Sequence, residues 1–308
     1  MKQAQESDSS GTIHFRIPRA LVEYASDPDN DEWRGWIARL PELVAEMTAA
    51  WSLELGAPYE LGGMCSWVAP ARNADGDELV LKLGIRHYEA EHEIDGLRFW
   101  DGDGAARLYA SSSTDDTHIL LLERCVPGNW LKQTLPEPDQ DEVIARLLGR
   151  LHREPPAGHP FRPLQSTCDE WGAGFAEDAE RYPDKVDAGL VRAGLEIFRS
   201  YAETASHHVL LCTDLHGGNV LAAQREPWLV IDPKPYVGDP AYDAVQHILN
   251  CPERLEADPL AFSQRMADLM GLQRERVQMW LFARCLQESY SNEPWTQGLA
   301  SLAPRIAP

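Results

Sequence analysis

Two short apolar segments with polar residues at their ends constrain this chain more than any other feature. Residues 220–222 and 228–231 flank a polar turn at residues 224–227, a pattern that predicts an antiparallel hairpin. Asn219 immediately precedes the first segment, and Asp232 immediately follows the second. Because antiparallel pairing brings these two positions to the same end of the hairpin, we expect their side chains to lie close together.

Asp214 lies in the loop just before the hairpin and adds a third oxygen-bearing side chain at the same edge. Carboxylate and amide oxygens suit Mg²⁺, which completes its coordination with phosphates and water. The spacing is typical of phosphoryl transfer from a nucleotide, with Asp214 orienting the acceptor hydroxyl and Asn219 and Asp232 holding the metal. Each residue alone could instead cap a turn, with Gly217 and Gly218 supplying backbone freedom. The three together favour the catalytic interpretation.

The first part of the chain shows strand and turn signals that predict a small antiparallel sheet. Residues 59–68 contain a Gly pair flanked by extended residues, and residues 73–77 form a turn signal. Residues 78–83 alternate as a strand should, and a further short strand is expected at residues 118–123.

Helical periodicity precedes, interrupts and follows these strands. Apolar residues recur at helical spacing over residues 33–51, where Pro41 predicts two short helices or one kinked helix, and another helix is expected at residues 88–100. Beyond residue 123 the pattern is mostly helical. We therefore predict an α+β fold of two lobes: a nucleotide-binding lobe with a helical extension at residues 1–123, and a larger catalytic and substrate-binding lobe at residues 124–308.

Lys82 is the candidate in the first lobe for contacting nucleotide phosphates. It lies near the end of a predicted strand, one strand after a Gly-containing turn. A lone Lys in a strand is more often a solvated edge residue, and this alternative remains open. A phosphate-contacting Lys needs a carboxylate to hold it. Glu93, on the same predicted helix face as Leu97, is the first choice, and Glu89 is the second.

Two further segments are candidates for nucleotide contacts. Gly62, Gly63 and Ser66 could cover the phosphates with backbone N–H groups and a hydroxyl, although this segment also fits a simple β-turn. Glu123 and Cys125 could present backbone groups to an adenine edge. That second expectation rests only on their position at the joint between the predicted lobes.

Asp243 precedes an apolar stretch at residues 244–249. Its preferred interpretation is the N-cap of a helix, because Asp is favoured at that position. A second interpretation is a brace beneath the catalytic loop. A direct catalytic role is not expected.

The net charge of −21 at pH 7 argues against two classes of partner. Nucleic acid and an anionic membrane would both be repelled, and no apolar run approaches the ~20 residues of a membrane span. The N-terminus lacks an apolar signal region, and the six cysteines contain no C-x-x-C pair, so a cytoplasmic monomer with reduced thiols is expected. The excess of acidic residues either is a general property of the surface or serves to attract a cationic substrate.

These segments together resemble the aminoglycoside phosphotransferase family, a branch of the protein-kinase-like fold, and are most similar to its streptomycin 6-kinase and hydroxyurea-resistance kinase branch. The resemblance covers most of the chain. Its most specific parts are Asp-Leu-His-Gly-Gly-Asn at residues 214–219 and Arg-Glu-Pro-Trp-Leu-Val-Ile-Asp-Pro-Lys at residues 225–234. One departure is Cys212-Thr213, where the family usually has His-Gly. That His normally buttresses the loop, so a different buttress is expected here.

The resemblance implies transfer of the ATP γ-phosphate to a hydroxyl group of a small molecule, with Asp214 as the catalytic carboxylate. It also implies that Asn219 and Asp232 bind Mg²⁺. Lys82 and Glu93 are implied to position the nucleotide phosphates.

Family substrates are polycations, so acidic side chains of the second lobe are expected to bind amino or guanidino groups. The candidates are Asp169, Glu170, Asp178 and Glu288. Lys234 is a feature of the branch that could neutralise charge near the transferred phosphate, although a structural ion pair is equally consistent.

Two alternative functions remain open at this point. One is a kinase for another small hydroxylated metabolite, such as an amino alcohol or a sugar, because a shared fold does not fix the substrate. The other is a pseudokinase that binds nucleotide without transferring phosphate. Pseudokinases usually lose a metal ligand or the catalytic Asp, and this chain has a residue of the required type at each of these positions.

Overall fold

The computed structural model describes residues 15–27, 30–60, 62–63, 65–291, 296 and 298–307. The chain forms two compact units. The first contains residues up to Arg86 together with Leu108–Arg124, and the second contains His87–Arg107 and Cys125 onward. Residues 87–107, which the sequence placed in the first lobe, therefore pack with the second unit. The division of nucleotide binding and catalysis between two lobes stays a prediction.

The first unit is an antiparallel sheet with two helices. The helices are α1 (Arg19–Ala25) and α2 (Asp31–Ala50), and the strands are β1 (Glu54–Leu55), β2 (Ser66–Arg72), β3 (Glu78–Ile85), β4 (Leu108–Ser113) and β5 (Thr117–Glu123). The strand order is β1-β2-β3-β5-β4. The predicted sheet is confirmed, and it also contains β1 and β4, which the sequence did not indicate.

Helix α2 forms the core of the first unit together with the sheet. Trp36, Leu40 and Val44 are buried on one face of α2, and each such side chain contributes roughly 1.5–3 kcal/mol through burial. The indole N–H of Trp36 also donates to the Thr117 hydroxyl at 3.1 Å. Of the two alternatives that Pro41 predicted, division into two helices is wrong, because α2 continues through residue 41 as one helix. The apolar stripe on both sides of Pro41 packs into the same core.

The turn predicted between the second and third strands is confirmed. The Asn73 side-chain oxygen accepts hydrogen bonds from the N–H groups of Asp75 at 3.1 Å and Asp77 at 2.8 Å. Asn favours turns because its side chain can satisfy nearby backbone groups in this way. The turn sets the register in which β2 and β3 pair, with Arg72 opposite Glu78.

The second unit is mostly helical and contains two small antiparallel strand pairs. Its helices are α3 (Glu93–Trp100), α4 (Leu131–Thr134), α5 (Glu137–Leu151), α6 (Leu164–Arg181), α7 (Ala188–Ser200), α8 (Pro240–Leu249), α9 (Pro252–Ala257), α10 (Pro259–Met270), α11 (Arg274–Glu288) and α12 (Leu299–Ile306). Its strands are β6 (Val209–Leu211), β7 (Val220–Ala222), β8 (Trp228–Val230) and β9 (Tyr236–Gly238). Across the described ranges, no helix combines the length and the apolar character needed to cross a membrane.

The predicted hairpin is confirmed as the antiparallel pair of β7 and β8. A second pair, formed by β6 and β9, was not predicted. Strand β6 runs directly into the segment that carries Asp214, and β9 follows Lys234. The two pairs therefore anchor both ends of the region in which the sequence placed the catalytic chemistry.

The helix predicted at residues 88–100 is confirmed only over residues 93–100. The structure has a short 3-10 turn at Tyr88–Ala90 and a separate helix, α3. Trp171 donates from its indole N–H to the Tyr88 hydroxyl at 3.0 Å, whereas α3 packs where a Cβ on Gly96 would lie 2.4 Å from Pro235 Cγ. The 3-10 turn therefore contacts α6 through Trp171, whereas α3 contacts the segment around Pro235.

A buried carboxylate joins four helices of the second unit. Asp141 on α5 contacts His247 Nε2 at 2.9 Å, Arg254 Nη2 at 2.8 Å and Arg265 Nε at 2.7 Å. Burial alone would raise the pKa of Asp141, but hydrogen bonds from these three partners hold it well below its usual range. The Asp141 side chain is fully buried, so this charged cluster stabilises the helical packing only while Asp141 stays ionised.

Candidate active site

Asp214 and Asn219 come together at one end of the β7–β8 hairpin. The hairpin register places Val220 opposite Val230, and the Ile231 N–H donates to the Asn219 carbonyl at 2.9 Å. The Asn219 side-chain amide donates to the Asp214 carbonyl at 2.9 Å and to its carboxylate Oδ2 at 3.3 Å. Asp232 follows Ile231 directly, so the end-to-end arrangement expected from the sequence is present.

The donor set at this end of the hairpin fits a magnesium ion. The Asn219 amide nitrogen is turned to Asp214, so its Oδ1 is the atom that could ligate a metal, and the Asp232 carboxylate is the second candidate ligand. Mg²⁺ is usually held by one or two protein oxygens and takes its other ligands from phosphate and water. Within the described ranges, no cluster of three or more His, Cys, Asp and Glu side chains could hold a metal by itself. Asp232 has a φ of 54°, which is uncommon outside glycine and recurs at functional sites.

The two glycines of the loop serve close packing rather than backbone freedom. Both lie outside the positive-φ region. A Cβ on Gly217 would lie 2.5 Å from Gln140 Oε1, and a Cβ on Gly218 would lie 2.7 Å from His216 Cε1. Both glycines lie in a turn that the Asn219 N–H closes by donating to the His216 carbonyl at 2.9 Å, but the backbone freedom considered for them from sequence is not used, and their small size is what the loop requires.

The Asp214 carboxylate has a neighbour on each oxygen. Gln246 donates from Nε2 to Oδ1 at 2.9 Å, and the Lys234 ammonium lies 3.1 Å from Oδ2. His216 Nε2 is 4.0 Å from Oδ1. Gln246 carries no signal in the sequence, because it lies within a helix far along the chain from the motif.

Lys234 forms the ion pair that the sequence left open. Its Nζ lies 3.4 Å from Glu89 Oε2 as well as beside Asp214. Burial opposes the charged form of Lys234, but the carboxylates of Asp214, Glu89 and Asp232 outweigh it and raise the pKa of Lys234. Lys234 is therefore a fixed positive charge next to Asp214. Glu89, the second choice as the partner of Lys82, pairs with Lys234.

Asp243 braces the segment that leads to Asp214. Its carboxylate oxygens accept hydrogen bonds from the N–H groups of Cys212 at 2.8 Å and Thr213 at 2.7 Å, and His152 Nε2 lies 2.9 Å from Oδ2. The prediction that Asp243 is an N-cap is wrong. Asp239 caps α8 by accepting from Ala241 N at 3.0 Å, and Asp243 points from the first turn of α8 to the loop.

The Cys212-Thr213 departure places a non-glycine residue at a strained position of the loop. Thr213 has a φ of 48°, a conformation that a β-branched residue adopts at a cost and glycine adopts freely. The Thr213 hydroxyl compensates by donating to the Lys234 carbonyl at 2.5 Å. Cys212 is fully buried, and burial raises the pKa of its thiol. Asp243 and the Thr213 hydroxyl thus hold the loop where the resemblance would expect His-Gly.

A cavity of about 180 Å³ opens beside Asp214 in the second unit. Its lining is mainly aromatic and charged, and comprises Glu89, Thr167, Trp171, Thr213, Asp214, Lys234, Tyr236, Tyr242, Gln246, Arg284 and Glu288. Arg284 is buried and lies 4.3 Å from the centre of the Trp171 ring. It donates to Glu288 Oε1 at 2.5 Å and to the Tyr242 hydroxyl at 2.8 Å. A small polar acceptor could therefore approach Asp214 between carboxylates and aromatic rings.

The four acidic residues proposed from sequence occupy different places. Glu288 lines the cavity. Asp169 and Glu170 are exposed on α6, and Asp178 is half-buried on the same helix; none of these three lines the cavity. Glu89, which the sequence did not nominate as a substrate ligand, contributes a second wall carboxylate.

Lys82 lies on the central strand of the first unit. It is opposite Val68 and Leu120 and is 6% exposed. The solvated-edge alternative is therefore wrong, and a buried ammonium is costly unless it is paired. Glu93, its expected partner, is buried in the first turn of α3.

The remaining nucleotide candidates are placed as follows. Gly63 has a φ of 109°, which favours glycine, and Gly62 beside it is half-buried. Ser66 is buried at the start of β2, where a Cβ on Gly84 opposite would lie 3.2 Å from its hydroxyl oxygen. Glu123 ends β5 and Cys125 follows it, both half-buried. Their nucleotide contacts stay predictions.

Comparison with known proteins gives one consistent family. Residues 56–293 match the family described as aminoglycoside/hydroxyurea antibiotic resistance kinase. The chain is 35% identical to a streptomycin 6-kinase of Streptomyces griseus, covering 96% of each chain. It is also 35% identical to a hydroxyurea phosphotransferase of Kitasatospora aureofaciens, covering 88% of this chain and 78% of the relative.

Two solved structures show the same fold at low sequence identity. An aminoglycoside phosphotransferase of Streptomyces rimosus, solved with ADP and streptomycin, superposes with a TM-score of 0.52 at 18% identity, covering 81% of this chain and 98% of that one. An ethanolamine kinase of Plasmodium vivax gives a TM-score of 0.56 at 14% identity, covering 82% of this chain and 81% of that one. These similarities confirm the predicted kinase-like fold.

Proposed function

Because the chain belongs to the aminoglycoside/hydroxyurea antibiotic resistance kinase family and is an ATP-dependent phosphotransferase, we propose that it phosphorylates a hydroxyl group of a streptomycin-like aminoglycoside. The observation that carries this proposal is the Asp214 carboxylate, held between Gln246 and Lys234 at the wall of a cavity lined by charged and aromatic side chains. The fold alone would not specify the acceptor.

In this proposal Asp214 acts as the base. The acceptor hydroxyl donates its proton to a carboxylate oxygen of Asp214 while its oxygen bonds to the γ-phosphorus of ATP. Asn219 Oδ1 and the Asp232 carboxylate would hold Mg²⁺, which supplies charge neutralisation at the phosphates. The two hydrogen-bonded neighbours of Asp214 fix the carboxylate before substrate arrives, so less reorganisation is needed during transfer.

Lys234 supplies a fixed positive charge at this position. Its ammonium is paired with both Asp214 and Glu89, so it offsets the negative charge that two carboxylates would bring beside an anionic phosphate. Lys82, Glu93, Gly62, Gly63, Ser66, Glu123 and Cys125 are proposed as nucleotide-binding groups. Their support is the sequence pattern together with family membership.

The cavity suits a cationic acceptor with several polar groups. Glu89 and Glu288 place carboxylates at its wall, where Lys234 and Arg284 hold them in place, and Tyr236 presents an aromatic ring in the same lining. Carboxylates form charge-assisted hydrogen bonds with amino and guanidino groups. Aromatic faces also attract cations. The three acidic residues that do not line the cavity, Asp169, Glu170 and Asp178, are weaker candidates for this role.

The proposal is tested by incubating the purified protein with Mg-ATP and a panel of aminoglycosides that includes streptomycin. Mass spectrometry should detect one added phosphate on streptomycin or a close relative of it. The variant Asp214→Asn keeps the side-chain shape and should lower kcat by at least 10²–10⁴-fold, the usual contribution of a general base, while Mg-ATP still binds. An Asp214→Asn variant with full activity would refute the assignment of the base.

A second acceptor deserves inclusion in the same panel. The similarity to a hydroxyurea phosphotransferase equals the similarity to a streptomycin 6-kinase in identity, which favours hydroxyurea as the alternative substrate. Choline and a simple sugar complete the panel as metabolite acceptors. Absence of turnover with every acceptor, despite Mg-ATP binding, would support the nucleotide-binding pseudokinase instead.

A further inference from the structure

His216 is held in one orientation by the loop in which it lies. The Gly218 N–H donates to His216 Nδ1 at 3.0 Å. A ring nitrogen that accepts a hydrogen bond carries no proton, so a neutral imidazole in this position has its proton on Nε2. The loop backbone thus selects the tautomer of His216.

Gly218 is the residue that permits this arrangement. A Cβ at position 218 would lie 2.7 Å from His216 Cε1 and 2.9 Å from Nδ1, closer than a side-chain carbon can approach. Only glycine therefore lets the imidazole ring fold back over its own backbone. The His216 side chain is 19% exposed, so the ring is largely enclosed.

The opposite ring nitrogen faces the catalytic carboxylate without binding to it. His216 Nε2 lies 4.0 Å from Asp214 Oδ1, which is too far for a hydrogen bond. That Oδ1 accepts from Gln246 Nε2. Among the residues that the structure describes, His216 Nε2 has no hydrogen-bond partner. An oriented N–H donor therefore lies beside Asp214 and is available to a substrate oxygen.

We propose that His216 is a further catalytic residue, whose Nε2–H donates a hydrogen bond to a non-bridging oxygen of the phosphoryl group during transfer. This inference rests on the proposed phosphotransferase function and on Asp214 as the base. It adds a residue that touches the reacting group and that neither the metal ligands nor the base account for.

The chemistry of the step selects the phosphoryl oxygen over the acceptor oxygen. The acceptor O–H bond breaks and its proton passes to Asp214, while an electron pair of that oxygen forms the new O–P bond. The bond from phosphorus to the β–γ bridging oxygen breaks, and its electron pair leaves with ADP. An N–H group that donated to the acceptor oxygen would bind the electron pair that must attack phosphorus. At a phosphoryl oxygen the same donor stabilises charge in the transition state.

A matched pair of variants isolates the donor. His216→Gln and His216→Met have side chains of similar length, both lose the Nδ1 acceptor, and only Gln places an N–H group near the position of Nε2. We expect kcat of the Met variant to lie on the order of 10²-fold below that of the Gln variant, the usual effect of one lost donor to developing charge. The Mg-ATP dissociation constant and the urea unfolding midpoint should be the same in both. Equal kcat values would overturn the proposal.

The tautomer is tested separately from activity. Long-range ¹H–¹⁵N correlation spectra of the wild-type protein, with His216→Gln to assign the signal, should show the Nε2–H form of His216. A predominant Nδ1–H form would overturn the proposal. Gly218→Ala should shift this signal, because the added Cβ occupies the position of the ring.

The proposed aminoglycoside acceptor and the proposed role of His216 can be refuted separately. The kinetic comparison is run with streptomycin and, in parallel, on the slow hydrolysis of Mg-ATP by water, which passes through the same phosphoryl group. A wild-type protein that hydrolyses Mg-ATP but modifies no aminoglycoside would contradict the proposed acceptor only. The Gln and Met variants would then still decide the role of His216 from their hydrolysis rates.

Discussion

The side-chain amide of Gln246 donates from Nε2 to Oδ1 of Asp214 over 2.9 Å. Gln246 follows Asp243 by three residues on α8, so both side chains project from the same face of one helix. Asp243 binds the backbone at Cys212 and Thr213, whereas Gln246 binds the Asp214 carboxylate itself. One helix thus fixes both the loop and the side chain proposed as the base.

Replacing Gln246 with Met should lower kcat on the order of 10- to 100-fold without lowering the unfolding midpoint. A hydrogen bond to a charged group contributes about 1.5–3 kcal/mol, which corresponds to that range when the bond orients the base. Steady-state kinetics and urea unfolding measure the two effects. Gln224→Met, at an exposed residue of the β7–β8 loop, is the matched control and should retain wild-type kcat. Unchanged kcat in Gln246→Met would show that Asp214 needs no such support.

Thr213 should tolerate glycine better than valine. Val keeps the β-branched strain at a φ of 48° and loses the hydroxyl that donates to the Lys234 carbonyl, so we expect a loss of about 1–2 kcal/mol in unfolding free energy. Gly also loses the hydroxyl but relieves strain of the order of 1–3 kcal/mol. Urea unfolding should therefore rank Thr213→Gly near the wild type and Thr213→Val below it. The reverse order would contradict the strain argument.

Asp243→Asn should weaken both the fold and the catalysis. An amide has one acceptor oxygen, so one of the two loop N–H groups bound by Asp243 would be left buried without a partner. Such a loss costs about 1–3 kcal/mol, and kcat should fall because the Asp214 backbone is no longer held. Thermal or urea unfolding and kinetics test both effects. Asp268→Asn, at an exposed residue paired with Arg274, is the control and should change neither measurement detectably.

Asp141 should make the stability of the second unit sensitive to acid. Hydrogen bonds from its partners lower the pKa of Asp141 in the folded state against the effect of burial. The unfolded chain, with a carboxyl pKa of about 3.9, therefore binds the proton more readily. The stabilisation is complete above about pH 4 and is lost as the pH falls towards the folded-state pKa.

The variant Asp141→Asn isolates this contribution. At pH 7 it should unfold with a free energy about 3–5 kcal/mol below the wild type, because the partners of Asp141 stay charged. The difference between the two proteins should shrink below about pH 4, where the wild-type carboxyl begins to take up a proton. Urea titrations at several pH values measure it. A difference that stays constant down to the pH of acid unfolding would exclude Asp141 as the source.

The local parts of the site were predictable from sequence. Asn219 and Asp232 flank two strands whose pairing follows from alternation and a polar turn, and the observed register of Val220 with Val230 confirms that pairing. The strand that carries Lys82 was predicted too, but its position at the centre of the sheet was not. A central strand is one that pairs with a strand on each side, here β2 and β5. The alternation within a single segment does not indicate which strands it pairs with.

The sequence by itself determined the features that depend on residues close together in the chain. These are the β7–β8 hairpin, the Asp-x-x-x-x-Asn motif and, through both, the family. Tertiary structure alone decided that Asp243 braces Cys212 and Thr213 rather than capping a helix, and that Glu89 pairs with Lys234. It also brought Gln246 to Asp214. The physical reason is range. Turns and strand alternation arise from neighbouring residues, whereas a buried carboxylate or amide binds whichever group the packing of distant helices brings to it.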